Sequence, residues 1–414
     1  MKILIVSPIL PYRHVGHGGG TILFHLLELL AKRHEISLAV MYEPSEQEKI
    51  AELRTMLKVV CALPRRETSM ERLAMKASKN IVSQKVTLWI RGFLNDAFSI
   101  PTPDVKVFSD AVLSHLSQCR YDIIQIEFPQ WLSYLVRNIR TPNVVGAAHD
   151  VVFKVFERMR VQKKNVLHRL LLSLRYELAK RNEFLTYKRL QCVYTLSDSD
   201  KRLLLEAEPM LNVQTRTAGF PLPPSTVKMK RKPQMILFVG YLARGENQDG
   251  VWFMINDVMP ILWRTHPTAS LHVVGGGAPK KMLECHNGRT IIFHGYQENI
   301  QPFYQQARVM VVPVFIGGGI ITKLIESLMN ELPTVSTTIG NEGVQAEAGK
   351  AILIADTAAD FAHHIRALID DDELHQRISK AARRHFENKF HIERIVQTLE
   401  ESYQQILNTT QPCA

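Results

Sequence analysis

The chain has 414 residues, 46% hydrophobic and 22% charged, typical of a globular protein long enough for two domains of roughly 200 residues. Its five scattered cysteines include no C-x-x-C pair, and no apolar stretch reaches about 20 residues, which argues against a disulfide framework, a zinc knuckle and a membrane-spanning helix. The net charge of +11 suits an anionic partner (nucleic acid, an acidic membrane surface or a phosphorylated substrate), and the cysteines indicate reduced thiols in a cytoplasmic protein.

The first half opens with a short β-branched run, Lys2 to Val6, then a glycine-rich polar loop and a helical pattern from Ile22 to Ala31. This start differs from a signal peptide, because Ser7 and Pro8 break the apolar run and no small-residue cleavage site follows. We therefore expect a buried first strand. Further strands are predicted at Ile36–Met41, Asp122–Ile126, Val144–Ala147 and Cys192–Leu196.

The second half begins in the same way. Met235 to Val239 is a β-branched run, followed by Gly240, a polar loop and the helical pattern Val251 to Trp263. Strand, glycine-bearing loop and helix are typical of the first βα unit of a parallel sheet, so two separate sheets are predicted. The later strands are predicted at Ser270–Val274, Thr290–Phe293, Val309–Val312, Thr334–Ser336 and Ala351–Ile354.

A proline- and lysine-rich stretch without periodicity separates the halves, and we interpret residues 219–234 as a linker. It joins a first domain, residues 1–218, to a second, residues 235–390. Residues 391–414 are predicted to form a helix that packs back on the first domain. The pattern predicts two doubly wound Rossmann-like α/β domains, with ligands beyond the carboxyl ends of their strands.

One glycine run leads directly into a helix. Gly317 to Gly319 follow a predicted strand and turn the chain into the helical pattern Ile321 to Met329. Glycine lets the backbone approach a ligand, and the first helical turn offers unpaired N–H groups, so together they form an anion site. Lys323 opposes the helix dipole there, a conflict that a bound diphosphate would remove. Glu326, on the same face, could accept hydrogen bonds from ribose; the alternative is a surface loop with a solvated Lys323 and Glu326.

Together with the segments that follow it, this turn resembles glycosyltransferase family 4, whose GT-B members carry G-x-G-x-x-x-K-x-x-E-A-M, then G-x-P-V-V-S-T, then G-x-E-G. The matching residues are Gly317, Gly319, Lys323, Glu326, Ser327, Leu328, Pro333, Val335, Ser336, Thr337, Gly340, Glu342 and Gly343. Looser matches are Phe238-Val239-Gly240 with Asn247 and Asp249, the glycine turn Val273 to Gly277, Gly18-Gly19-Gly20, Glu127, His149-Asp150, and Ser197 to Asp200.

The resemblance implies a GT-B architecture, in which two Rossmann-like domains face a cleft, and a retaining sugar transfer from a nucleotide diphosphate sugar. The expected donor-binding residues are Gly19, Gly20, Gly240, Arg244, Gly276, Gly318, Gly319, Ile320, Ile321, Thr322, Lys323 and Glu326. The candidate catalytic residues are His149, Lys323 and Glu326. The expected acceptor contacts are Glu127, His149 and Asp150, although Asp150 is better suited to capping a helix and Glu127 equally suits a structural role.

Two positions depart from the family pattern. Position 318 holds glycine where the family often has a glutamate, from which we infer no loss of activity. Tyr241 stands where the family often has an arginine, so phosphate binding would depend mainly on Lys323, with Arg244 as a weaker candidate.

The positive charge is concentrated in two stretches with interleaved apolar residues, which predicts basic amphipathic helices that could dock on anionic lipid. The first carries Arg65, Arg66, Arg72, Lys76, Lys79, Lys85 and Arg91. The second carries Lys154, Arg158, Arg160, Lys163, Lys164, Arg169, Arg175, Lys180, Arg181, Lys188 and Arg189. The alternative is a solvated helix face packed on the core.

The favoured interpretation is a cytoplasmic hexosyltransferase, peripheral on the inner face of the plasma membrane, that uses a UDP- or GDP-sugar without metal or cofactor. It would act on a lipid-linked or polysaccharide acceptor in bacterial surface-glycan synthesis, as for lipopolysaccharide or capsule. The main alternative is a catalytically silent GT-B relative that serves as a nucleotide-sugar-binding or scaffold protein. A nucleic-acid-binding function is disfavoured because the sequence shows no recognition helix, aromatic platform or zinc site. A nicotinamide-dependent enzyme is disfavoured because no G-x-G-x-x-G follows either opening strand.

Overall fold

A computed structural model describes residues 1–13, 15, 18–65, 101–162, 165–222, 230–316 and 319–410. The chain divides into two compact units. The first is built on Met1–Val15, Gly19–Arg216 and Val396–Ala414, and the second mainly on Thr217–Ile395. The first unit thus includes most of the last helix. No helix among the described residues is long and apolar enough to cross a membrane.

The first unit contains a parallel sheet with helices between its strands. The strands are β1 Lys2–Ser7, β2 Glu35–Tyr42, β3 Lys58–Pro64, β4 Ile123–Glu127, β5 Val144–Ala148, β6 Cys192–Thr195 and β7 Val213–Thr215, in the spatial order β3-β2-β1-β4-β5-β6-β7. The described helices are α1 Gly18–Leu30, α2 Lys49–Met56, α3 Pro103–Gln118, α4 Ser133–Asn138, α5 Val152–Gln162, α6 Val166–Tyr187 and α7 Asp198–Ala207.

The second unit contains a second parallel sheet. Its strands are β8 Met235–Val239, β9 Ser270–Val274, β10 Ile291–Gly295, β11 Val309–Val312, β12 Thr334–Ser336 and β13 Leu353–Ile354, in the order β10-β9-β8-β11-β12-β13. The described helices are α8 Gly245–Phe253, continued by a π-helical turn Met254–Val258, then α9 Met259–Trp263, α10 Lys280–Leu283, α11 Gln301–Gln306, α12 Thr322–Met329, α13 Thr338–Asn341, α14 Ala358–Asp370 and α15 Asp372–Lys389. The last helix, α16, spans Ile392–Thr410.

Every strand expected from the sequence is present, with ends displaced by at most two residues. The runs form central strands because both faces of a parallel sheet are covered by helices, so a continuous apolar segment is buried throughout. In β1, Ile3 to Val6 are fully buried between β2 and β4. Two strands were not predicted, β3 and β7, and both lie at the edges of the sheet.

The glycine-rich loop near the N-terminus differs from the prediction. Gly18, Gly19 and Gly20 form the first turn of α1, whereas we expected the helix to begin at Ile22. These glycines therefore lie in the helix itself and not in a loop before it.

The last helix is anchored in the first unit from Val396 onward. The Tyr403 hydroxyl, fully buried, donates to the Gln125 side-chain oxygen over 2.5 Å, and the hydroxyls of Tyr194 and Ser402 lie 2.8 Å apart. Since Gln125 is on β4, α16 contacts the strand that ends at Glu127.

Candidate functional site

The turn before α12 is the predicted anion site, and its described part runs from Gly319 to Ile321. Gly317 and Gly318 lie outside the described residues. Ile321, the residue before α12, makes no side-chain capping hydrogen bond, and its carbonyl accepts from the Leu324 N–H over 3.1 Å. The N–H groups of Thr322 and Lys323 are the first-turn donors that a ligand could use. Gly343 packs against this turn, since a Cβ there would lie 3.0 Å from the Ile320 Cα and 3.1 Å from the Gly319 carbonyl oxygen. The glycine of the G-x-E-G match therefore permits close backbone approach.

Lys323 extends from the first turn of α12 to the end of β8. Its Nζ donates to the Asn247 side-chain oxygen over 2.8 Å and lies 4.3 Å from the centroid of the Phe238 ring. A Cβ at Gly240 would lie 3.0 Å from the same Nζ, so a glycine there leaves room for the ammonium. Loss of solvent, helped by nearby Arg244 and opposed by Glu326 and Glu246, lowers the pKa of Lys323 to about 7.

Glu326 is held by a residue that the sequence did not indicate. The hydroxyl of Tyr304, on α11, donates to the Glu326 Oε2 over 2.7 Å. Burial, together with the Glu326 carboxylate, raises the pKa of Tyr304 well above its usual value, so the phenol remains a hydrogen-bond donor. Tyr304 thus orients one carboxylate oxygen.

Two exposed tyrosines flank a glycine turn at the carboxyl edge of the second sheet. A Cβ at Gly276 would lie 3.4 Å from the Tyr296 Cβ, and one at Gly277 would lie 3.0 Å from Cε2 of Tyr241. Gly275, with φ of 143°, adopts a conformation that L side chains rarely enter, and a Cβ there would collide with the Gly240 carbonyl oxygen. The result is a glycine floor that contacts the ring of Tyr241 and the Cβ of Tyr296. The sequence marked the glycines and gave no role to either ring.

The structure therefore brings several predicted donor-binding residues together within the second unit. Gly240 and Lys323 share one contact cluster with Asn247, and Arg244 is close enough to perturb Lys323. Gly276 lies at the same sheet edge, as part of the floor beside Tyr296. Gly319, Ile320, Ile321 and Thr322 are all half-buried in the turn.

In the first unit, buried polar side chains at the carboxyl ends of three strands contact one another. Glu127 ends β4, His149 follows β5, and Arg216 follows β7. The His149 Nε2 lies 2.5 Å from Glu127 Oε2, and two Arg216 nitrogens donate to the two carboxylate oxygens at 3.3 Å each. Gln125 also donates to Glu127. All four side chains are buried.

The positive charge of Arg216 keeps the Glu127 carboxyl ionised. Burial by itself would raise the pKa of Glu127, but the Arg216 guanidinium and the hydrogen bond from His149 outweigh it and lower that pKa to about 2. Glu127 is therefore an ionised carboxylate at neutral pH. It fixes the His149 ring through Nε2. The sequence indicated Glu127 and His149 but not Arg216, because nothing local to Arg216 suggests the pairing.

The second ring nitrogen of His149, Nδ1, is unusual because it is buried and has no hydrogen-bond partner among the described residues. A Cβ at Gly19 would lie 3.3 Å from this Nδ1 and 2.6 Å from Cζ of Phe128. Phe128 stacks on the His149 ring at 4.0 Å, with φ of 52°, a strained value for a bulky residue. Buried polar atoms are rarely left unpaired, so this nitrogen is a candidate ligand contact.

The first turn of α5 is capped by a residue from another helix. The N–H groups of Val152 and Phe153 each lie 3.1 Å from a Glu183 carboxylate oxygen, and the Tyr187 hydroxyl donates to the same carboxylate. Asp150, for which we expected capping or acceptor contact, is half-buried at this turn, where its carbonyl accepts from Gln130. Gly20 is buried in α1.

The predicted basic stretches are only partly available for binding. Of the first stretch, residues 66–100 lie outside the described residues. In the second, Lys154 is buried and paired with Asp200 at 2.8 Å, and Lys188 is paired with Glu208. The interpretation of all these cations as a docking face is therefore wrong for Lys154, which stabilises the packing of α5 against α7. Among the described residues, no cluster of three or more His, Cys, Asp or Glu side chains could hold a metal ion.

The chain is similar to one family model, to one curated protein and to several solved structures. Residues 233–371 match the family model described as glycosyl transferases group 1. A Klebsiella pneumoniae protein, described as an uncharacterized 44.6 kDa protein in the cps region, is 24% identical over 382 residues, covering 88% of this chain and 90% of its own.

Two solved structures match over nearly the whole chain. Sucrose-phosphate synthase from Thermosynechococcus elongatus aligns with a TM-score of 0.70 at 15% identity, covering 99% of this chain and 100% of its own. Anabaena HepE, solved with UDP-glucose, aligns with a TM-score of 0.63 at 12% identity, covering 98% and 100%. Together with the two parallel sheets, these matches confirm the predicted α/β fold class, two Rossmann-like units of the GT-B type.

Proposed function

We propose, from the match of residues 233–371 to the family model of glycosyl transferases group 1, that the protein is a nucleotide-sugar-dependent hexosyltransferase of bacterial surface-glycan synthesis. The family match and the fold both support glycosyltransferase activity. The observation that carries the proposal is the position of the Lys323 ammonium, half-buried beside Phe238 and Asn247 next to the start of α12. Among the described residues this cation has no carboxylate within salt-bridge distance, which suits a bound anion.

We propose that the donor diphosphate binds across the first turn of α12. The turn from Gly319 to Thr322 would supply N–H donors, and Lys323 would supply the charge. When the sugar–phosphate bond breaks, the leaving diphosphate gains negative charge, which preorganised dipoles and a cation stabilise without reorganisation. Because Lys323 and this helix start can provide that stabilisation, we propose transfer without a metal or cofactor. Glu326, oriented by Tyr304, would accept hydrogen bonds from ribose hydroxyls.

The acceptor side of the proposal rests on His149. Its ring is fixed by ionised Glu127, and its Nδ1 has no hydrogen-bond partner among the described residues, so we propose that it contacts a hydroxyl of the acceptor. We propose retention of the anomeric configuration, a lipid-linked or polysaccharide acceptor, and a cytoplasmic location at the inner membrane face. The cps-region relative supports a role in capsule synthesis.

The nucleotide base would stack on Tyr241 or Tyr296. We expect alanine at the stacking position, Tyr241→Ala or Tyr296→Ala, to weaken nucleoside diphosphate binding by about 5- to 150-fold, since base–aromatic stacking contributes about 1–3 kcal/mol. Each phenylalanine variant should bind like the parent, because the ring is retained. Affinity measured by isothermal titration with UDP and GDP tests this. If neither alanine variant weakens binding, the base lies elsewhere.

The test of the function is a titration with UDP, GDP and their sugars, followed by an assay of diphosphate release with glycan acceptors. We expect one nucleotide to bind and its sugar to be turned over. Binding without turnover on any acceptor would favour the scaffold alternative. If no nucleotide binds, both the hexosyltransferase and a silent relative that binds nucleotide sugars are contradicted.

A further inference from the structure

The α5–α6 hairpin exposes a row of aliphatic side chains at its tip. Val161 at the end of α5 is 75% exposed, and Val166, Leu170 and Leu174 along α6 are 77%, 66% and 47% exposed. The last three are spaced by four residues, so they lie on one face of the helix. Exposed aliphatic side chains clustered in this way mark an interaction surface. We call these four residues the hairpin tip.

The tip is bordered by arginines. Arg160 and Arg169 line one cleft of 470 Å³ together with Val161, Val166 and Leu170. From Arg158 through Tyr176 the sequence contains no Asp or Glu, and the described residues of this stretch include four arginines: Arg158, Arg160, Arg169 and Arg175. Arg160 lies 3.9 Å from Glu157, directly before this stretch, and both side chains are exposed. The surface is therefore apolar at its centre and cationic at its border, which fits a partner with an anionic outer layer above an apolar interior.

Cations toward the other end of the hairpin contact the core of the first unit. Lys154 pairs with Asp200, and Lys180 lies 5.8 Å from the centroid of the Phe153 ring. The N–H groups at the start of α5 are held by Glu183. The base of the hairpin is thus fixed to the core, and the tip extends from it.

We propose that the hairpin tip inserts into an anionic bilayer surface, with its aliphatic residues among the acyl chains and its arginines at the headgroups. A second copy of the chain is a poorer occupant, because two such cationic borders would repel each other. The inference rests on the proposed function, since it gives the lipid-linked acceptor a direct route. The α5 helix begins three residues after His149 and, at 11 residues, extends about 16 Å, so the tip would hold the bilayer near the His149 edge.

The test is sedimentation with phosphatidylcholine vesicles with and without phosphatidylglycerol. We expect the parent to bind only the anionic vesicles. Leu170→Ser with Leu174→Ser should reduce binding about tenfold or more, and Arg160→Gln with Arg169→Gln should do so by removing two cations. Leu185→Ser is the matched control, because Leu185 is 46% exposed on the same helix at the base end, and this variant should bind like the parent.

Insertion has its own readout. Leu170→Trp should show a blue-shifted fluorescence and quenching by brominated lipid, whereas Leu185→Trp should show neither. Equal binding of both vesicle types, or full binding by the Leu170/Leu174 variant, would overturn the proposal. A dimer in light scattering that this variant abolishes would assign the tip to a second copy instead.

Nucleotide titration without vesicles separates this proposal from the proposed function. All tip variants should bind nucleotide as the parent does, because the tip belongs to the first unit and the Lys323 site to the second. If the parent binds vesicles but no nucleotide, the function fails and the surface stands. If it binds nucleotide but no vesicle, the surface fails alone.

Discussion

Replacement of Lys323 by alanine is expected to weaken nucleoside diphosphate binding by about 10- to 150-fold, the value of a charge-assisted hydrogen bond of about 1.5–3 kcal/mol. The reason is the direct contact that we propose between the ammonium and the diphosphate. Lys380→Ala, which removes an exposed lysine of α15, is the matched control and should bind normally. Isothermal titration measures both. Parent-like binding by Lys323→Ala would contradict the assignment of this turn.

The same lysine predicts a pH dependence. Its pKa in the free protein is about 7, so the ammonium is progressively lost as pH rises through 7. A bound diphosphate would favour the charged form, so we expect affinity to fall above pH 7 and a proton to be taken up on binding. In Lys323→Ala this part of the pH dependence should disappear. Proton uptake is measured by titrating in buffers of different ionisation enthalpy.

The stability of the folded protein should change with pH in the opposite direction to nucleotide affinity. Since the folded state lowers the Lys323 pKa from 10.5, the unfolded chain binds more protons between pH 7 and 10.5, and stability from this group rises with pH there. The cost of burying the ammonium is fully present below pH 7. Lys323→Met should therefore raise the melting temperature at pH 6 while weakening nucleotide binding as Lys323→Ala does, as expected for a residue kept for binding. A lower melting temperature would instead indicate a structural role for Lys323.

Replacement of Arg216 by methionine is expected to lower the free energy of unfolding by about 3–5 kcal/mol, because it leaves the ionised Glu127 buried without its guanidinium. Arg202→Met, at an exposed position of α7, is the control and should change stability little. Combining Arg216→Met with Glu127→Gln should recover part of the loss, since no charge is then left unpaired. Urea unfolding at pH 7 measures all three. A loss no larger than that of Arg202→Met would contradict the pairing.

The ion pair between Glu127 and Arg216 also predicts that the free energy of unfolding falls at acidic pH. Its pKa is lowered from 4.5 to about 2, so its contribution to stability is fully present above pH 4.5 and is lost as pH falls toward 2. Without Arg216, we expect Glu127 to be protonated at higher pH. The stability of Arg216→Met should therefore depend less on pH between 4.5 and 2 than that of the parent. Unfolding curves at pH 3, 4 and 5 measure the difference.

The buried strands were predictable because each is a continuous apolar run, and β1, β8 and β11 were recognised for that reason. The two strands missed are edge strands: β3 is only partly buried, and β7 has three residues. Short or half-buried segments carry weak periodicity, and their state depends on a neighbouring strand that offers hydrogen bonds. The beginning of α1 was displaced because three glycines in succession disfavour a helix locally, yet the surrounding packing keeps them helical.

The same division holds for the candidate site. The sequence by itself determined the parallel α/β framework, the family resemblance and the candidate pair Lys323 and Glu326, because these follow from local periodicity and from motif spacing. Only the tertiary structure decided the partners: Asn247 and Phe238 for Lys323, Tyr304 for Glu326, and Arg216 for Glu127. Such pairs join residues far apart in the chain, and strand order, which no local pattern encodes, brings them into contact.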